Sequence, residues 1–126
     1  MELEGGQLIT VVFIPQDKGI AMYQTILQEC RKWFYNVSSQ YDEVLKISIE
    51  KDDSSCLIGD IDSNRYISQI TVSESGFKPY RYVEFMIYDL DKDANQSPVF
   101  WYGDQDNSSV VDIIDNLNKG LRIVLS

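Results

Sequence analysis

The stretch YRYVEFMIYD, residues 80–89, is the longest strand pattern in the chain. A β-strand points alternate side chains to opposite faces, so Val83, Phe85 and Ile87 would share one apolar face. The pattern therefore predicts a sheet strand with only one face in the core. The opposite face would carry a mixture of aromatic, acidic and apolar side chains: Tyr80, Tyr82, Glu84, Met86 and Tyr88.

The segments after this strand extend the sheet and then change to a helix. Residues 99–102, VFWY, would return beside it across an acidic connection and form a hairpin. Ser109 and Asp112 have the spacing of a capping box at the start of a helix. Gly120 is expected to end that helix, and residues 121–125 could form a last short strand.

The segments before it predict a strand followed by a long helix. Residues 8–14, LITVVFI, are mostly β-branched and end at Pro15, as expected for a buried first strand. The next apolar positions recur every three or four residues, which indicates a helix that packs on the sheet. They are Ile20, Tyr23, Ile26, Leu27, Cys30, Trp33, Phe34 and Val37.

A two-residue period then indicates further strands. Leu45, Ile47 and Ile49 alternate with polar residues, as in a half-buried strand, and a polar loop is expected at residues 51–55. The turn-forming residues 62–64 separate two more apolar segments and predict a hairpin. The order of elements predicts one α+β domain over residues 1–126: a mostly antiparallel sheet of five to seven strands, with two helices on one face.

The charge of the chain limits its partners. Twenty acidic residues face eleven basic ones, there is no histidine, and the formal net charge is −9. Such a surface repels nucleic acids and anionic membranes and attracts basic proteins, although excess acid also serves solubility alone. The acidic start and short first apolar run favour a cytoplasmic protein without a membrane segment. Cys30 and Cys56 have no paired spacing and are interpreted as free thiols.

The sequence offers no catalytic motif. Without histidine it cannot build a Ser-His-Asp or Cys-His site, and it lacks the commonest metal ligand. Residues 89–95, DLDKDAN, resemble the start of a calcium loop, but Ala94 replaces the turn glycine and Phe100 the closing glutamate. We therefore expect neither enzymatic activity nor a metal or other cofactor.

Acidic and aromatic residues cluster in the last third of the chain. Tyrosine and tryptophan anchor protein interfaces, and carboxylates attract basic side chains, so this cluster is the predicted partner-binding site. The structural alternatives are that Asp104 and Asp106 serve the helix dipole and that Tyr82 and Tyr88 cover a second core layer. The predicted site comprises Tyr82, Glu84, Tyr88, Asp89, Asp91, Asp93, Trp101, Tyr102, Asp104 and Asp106.

In its overall profile, short, acidic, α+β and without catalytic residues, the chain resembles the immunity proteins that bacteria keep against contact-dependent growth inhibition and other polymorphic toxins. The resemblance implies that it inhibits a cognate toxin, often a nuclease, by covering its active site. Two alternatives remain open at this point: a nucleic-acid mimic that blocks several basic proteins, and a domain that binds a small molecule or acts on it through an open sheet face.

Overall fold

The computed structural model describes residues 18–74, 79–92 and 97–126. These residues form one antiparallel sheet whose five strands lie in chain order, with two helices. The predicted α+β class is therefore confirmed, while the strand predicted at residues 8–14 lies outside the described residues. The elements are α1 (Lys18–Tyr41), β1 (Lys46–Asp52), β2 (Leu57–Asp62), β3 (Tyr66–Val72), β4 (Val83–Asp89), β5 (Phe100–Gly103) and α2 (Val110–Leu125).

Helix α1 packs on the sheet through the predicted apolar stripe. The stripe is buried from Tyr23 to Val37, and the Trp33 ring meets the Phe85 ring of β4 edge to face at 6.0 Å. Trp33 also donates a hydrogen bond from Nε1 to Asn118 Oδ1 of α2, at 2.8 Å. Both helices therefore cover the same face of the sheet.

The edge strand β1 differs from its predicted half-buried form. Leu45 is buried just before the strand, whereas Ile49 is 42% exposed. Neither helix packs extensively on β1, so of the predicted apolar positions only Leu45 is buried and Ile47 is partly buried against the core. The strand also continues to Asp52, which Arg31 of α1 holds at 2.8 Å, so residues 51 and 52 do not belong to the predicted loop.

The two predicted hairpins are confirmed, since β2 pairs with β3 and β4 with β5, both antiparallel. On β4 the predicted core residues Val83, Phe85 and Ile87 are completely buried. The second face of the sheet carries the intervening side chains, which are partly exposed.

Helix α2 begins where the sequence predicted but ends later than predicted. Ser109 and Asp112 form the capping box, with the Asp112 N–H donating to Ser109 Oγ at 3.1 Å. The helix does not stop at Gly120 but runs to Leu125, so the last short strand is wrong. Gly120 lies against the sheet, where a Cβ would stand 2.5 Å from Cε2 of Phe85. The glycine permits this close approach and does not act as a cap.

Candidate functional site

The sheet face opposite the helices, here called the open face, has two chemically different halves. One row of side chains crosses all five strands through the pairs Ser48–Asp60, Asp60–Gln69, Gln69–Met86 and Met86–Trp101. The row is polar and acidic on β1 to β3 and apolar on β4 and β5. The open face therefore joins a charged surface to an apolar one.

The acidic half consists of Glu50, Asp60 and Asp62. A β-bulge in β1 leaves Glu50 out of the regular pairing, beside the neighbouring strands. The side-chain amide of Gln69 donates to Glu50 Oε2 at 2.9 Å and to Asp60 Oδ1 at 3.0 Å. Hydrogen bonding with Asp60 and repulsion from its charge raise the pKa of Glu50. The Asp62 carboxylate accepts the Ser68 N–H at 3.0 Å.

The apolar half consists of Ile67, Met86, Tyr88 and Trp101. Ile67 and Trp101 are 41% and 43% exposed, and together with the partly exposed Met86 and Tyr88 they form an apolar patch. The Trp101 indole donates from Nε1 to Glu84 Oε2 at 2.7 Å. Its ring lies over Gly103, where a Cβ would be only 2.4 Å away. A wide, oriented indole is thus presented on the open face.

A depression of about 350 Å³ lies where the two halves meet. Asp60 and Asp62 form its acidic side, and Ile67, Met86 and Tyr88 form its apolar side. Such a site can accept a side chain that has an apolar stem and a cationic end.

Asp104 does not belong to the open face, although it was predicted in the binding site. Its carboxylate is fully buried and accepts the N–H groups of Tyr82 and Val83 at 2.7 and 2.8 Å. It also pairs with Arg81 Nε at 2.9 Å, and the same guanidinium donates to two carbonyl oxygens of the loop before α2. We call this arrangement the Asp104 clasp. It joins the start of β4 to the end of β5.

Asp89 forms a similar clasp at the opposite end of β4. Its side chain is buried, pairs with Arg65 Nη2 at 3.0 Å and accepts the Asp91 N–H at 2.9 Å. These interactions, first of all the hydrogen bond from Arg65, lower the pKa of Asp89. The Asp89 carboxylate therefore has a structural role within the fold.

The ten predicted site residues consequently separate into several groups. Glu84, Tyr88 and Trp101 do lie together on the open face. Tyr102 packs against the helix-covered core. Asp91 and Asp106 are exposed but lie beyond opposite ends of β4, and Asp93 lies outside the described residues.

Tyr82 packs on the helix-covered side of the sheet and not on the face that the sequence predicted. It was placed beside Glu84 and Met86, but its ring stands 4.9 Å from the Tyr23 ring of α1. Tyr82 precedes β4, and Asp104 holds its backbone, so the strand alternation does not extend to it.

The residues that the prediction missed are on the first three strands. Glu50, Asp60 and Gln69 come from segments whose apolar positions predict strands, whereas Asp62 belongs to the predicted turn and is instead the last residue of β2. The polar positions of these segments carry the same two-residue period, and this was the available signal. The hairpin of β2 and β3 was predicted, but its register, which places Asp60 opposite Gln69, was not.

The described residues contain no group of three side chains suited to hold a metal ion. The carboxylate of Asp89, the first residue of the calcium-like segment, accepts a hydrogen bond from Arg65. Both cysteines are free thiols, as predicted, and both are buried. Burial raises the pKa of Cys30 to about 12.

Comparison with family models, with curated proteins and with solved structures gave no match. Neither of the two helices in the described ranges is long and apolar enough to cross a bilayer.

Proposed function

We propose that this protein is a binding domain without enzymatic activity, and that its open face holds a basic protein partner. The observation that carries the proposal is that three carboxylates, the exposed Trp101 and the partly exposed Tyr88 lie on one face that no described helix covers. Aromatic side chains supply most of the energy of an interface, and complementary charge supplies orientation and a fast approach.

The size of the open face indicates where the contact must extend. Neighbouring strands lie about 4.8 Å apart and each strand rises about 3.3 Å per residue, so the open face measures about 20 Å on a side. A standard interface covers about 800 Å² on each partner, so the partner must also contact loops at one end. The depression lies toward the end at which Tyr88 is followed by the exposed Asp91. The proposed interface therefore includes Asp91 and leaves out Asp106.

The biological role that fits such a domain is that of a cytoplasmic immunity protein. Its partner would be the toxin domain, and a nuclease is the natural class, because an active site that binds phosphates is basic. Inhibition would be stoichiometric and steric: the acidic face covers the basic cleft and excludes the substrate.

The first experiment is a paired pull-down from the organism that encodes the protein. The wild type, Glu50→Lys/Asp60→Lys and the matched control Asp42→Lys/Asp115→Lys serve as baits. The two variants change the net charge equally, and Asp42 and Asp115 are exposed away from the open face. We expect a basic protein that wild type and control retain and the open-face variant loses. Equal capture by all three baits would show that the open face is not the interface.

The second experiment tests the immunity role. The captured protein is produced alone and together with the wild type or the Glu50→Lys/Asp60→Lys variant, and cell growth is measured. We expect growth arrest that the wild type relieves and the variant does not. Normal growth in the absence of the wild type would contradict the immunity role while leaving the binding proposal intact.

A further inference from the structure

We propose that the depression on the open face is a socket for one arginine side chain of the partner. This inference rests on the proposed function and adds the chemistry of the contact. The depression, of about 350 Å³, has an apolar side formed by Ile67, Met86 and Tyr88 and an acidic side formed by Asp60 and Asp62.

The acidic side keeps acceptor capacity for a cation. Asp60 Oδ1 accepts one hydrogen bond from Gln69, and its Oδ2 has only a 3.5 Å contact with Ser48 Oγ. Asp62 accepts the Ser68 N–H through Oδ1. A carboxylate offers about four acceptor positions, so both remain incompletely satisfied. Within the described part of the chain, no lysine or arginine forms an ion pair with either of them.

The apolar side favours arginine over lysine. Tyr88 and Met86 are partly exposed neighbours, with the Tyr88 hydroxyl 4.0 Å from Met86 Sδ. A planar guanidinium stacks on such a surface and is more weakly hydrated than an ammonium group. Its five N–H donors can also reach two separate carboxylates, whereas a lysine ammonium acts as a point charge. A second copy of this chain is a poor occupant, because each copy carries a net charge of −9.

The chain has a built-in probe for this socket. Met86 lines the depression, whereas Met22 is 43% exposed on α1, where its sulfur contacts Arg81. In protein labelled with ¹³C at the methionine methyl groups, N-acetyl-arginine amide should shift the Met86 signal saturably and leave the Met22 signal unchanged. N-acetyl-lysine amide and N-acetyl-citrulline amide are the matched probes, the first with the same charge and the second with a similar shape but no charge.

We expect arginine amide to bind more tightly than lysine amide and citrulline amide to give no saturable shift. Asp60→Asn should weaken the arginine response by about threefold, as for an exposed ion pair, and the exposed control Asp115→Asn should not. Equal affinities for arginine and lysine would overturn the arginine assignment, and an unmoved Met86 signal would overturn the socket. Either failure is distinct from failure of the proposed function, which the paired pull-down decides without reference to Met86.

Discussion

The carboxylates of the two clasps and those of the open face are used in opposite ways. Asp104 and Asp89 are buried and each pairs with an arginine; Asp104 also accepts two backbone N–H groups and Asp89 accepts one. Glu50 and Asp60 lie beside each other on a partly exposed surface; the side-chain amide of Gln69 donates to both, and neither carboxylate pairs with a lysine or arginine of the described residues. Acidic residues of one sheet therefore serve different purposes, and the partners of each carboxylate show which purpose it serves.

The direction of the pKa shifts expresses the same difference. Hydrogen bonds from Arg65 and the Asp91 backbone lower the pKa of Asp89, so folding favours its charged form. Asp60 raises the pKa of Glu50, so folding disfavours the charge there. Two adjacent carboxylates such as Glu50 and Asp60 do not favour stability, but they would attract and pair with a cationic group of a partner.

The largest expected effect is at the Asp104 clasp. Asp104→Ala would remove the acceptor for two buried N–H groups and leave the largely buried Arg81 unpaired. Breaking a buried ion pair in this way costs about 3 kcal/mol of unfolding free energy. Urea denaturation monitored by circular dichroism measures the loss. A loss below about 1 kcal/mol would show that Asp104 contributes no more to stability than an exposed carboxylate.

The matched variant for this experiment is Asp106→Ala. Asp106 is only two residues further along the chain, but its side chain is exposed and Arg81 contacts its backbone carbonyl alone. The substitution should change the unfolding free energy by no more than about 0.5 kcal/mol. The contrast between two neighbouring aspartates isolates the contribution of burial.

The sequence pattern could predict the faces of β4 because Val83, Phe85 and Ile87 keep a strict two-residue period. It also predicted the start of α2, since the Ser109–Asp112 capping box is a local interaction. It failed at Gly120, because a glycine that ends a helix and one that admits the Phe85 ring look alike in sequence. The same limit applied to the site: the burial of Asp104 beside Arg81 and the partial exposure of Asp60 beside Gln69 both depend on residues distant along the chain.

The next prediction tests the apolar half of the open face. Trp101→Ala should weaken partner binding by about 2 kcal/mol, as for an aromatic anchor. Since Trp101 is 43% exposed and its indole N–H donates to Glu84 at the surface, the unfolding free energy should fall by about 1 kcal/mol or less. Calorimetric titration with the captured partner and urea denaturation of the same sample separate the two effects. Unchanged binding would remove Trp101 from the interface.

A smaller effect is expected in the acid stability of the Asp89 clasp. Because the pKa of Asp89 is lowered in the folded state, its contribution is complete above the ordinary value of 3.8 and is lost as the pH falls through the folded pKa. Asp89→Asn should therefore lower the melting temperature at pH 6 and make it fall less between pH 4 and 2 than in the wild type. Melting curves across this range, with Asp106→Asn as the exposed control, measure it. Parallel curves for wild type and Asp89→Asn would contradict the assignment of Asp89 to a clasp.

The smallest and most discriminating effect is at Glu50. Because its pKa is raised in the folded state, the folded protein binds the Glu50 proton more tightly than the unfolded chain. Ionisation of Glu50 therefore lowers the stability of the fold as the pH rises from the pKa of Glu50 in the unfolded chain to its higher pKa in the folded protein. This loss of stability is complete at neutral pH.

Glu50→Gln removes the repulsion from Asp60 and keeps an oxygen that can accept from Gln69. We expect a melting temperature at pH 7 that is equal to or slightly above that of the wild type, no difference at pH 3, and slower association with the basic partner. A lower melting temperature at pH 7 would show that Glu50 supports the fold as Asp89 does, and the distinction between clasps and open face would then fail at this residue.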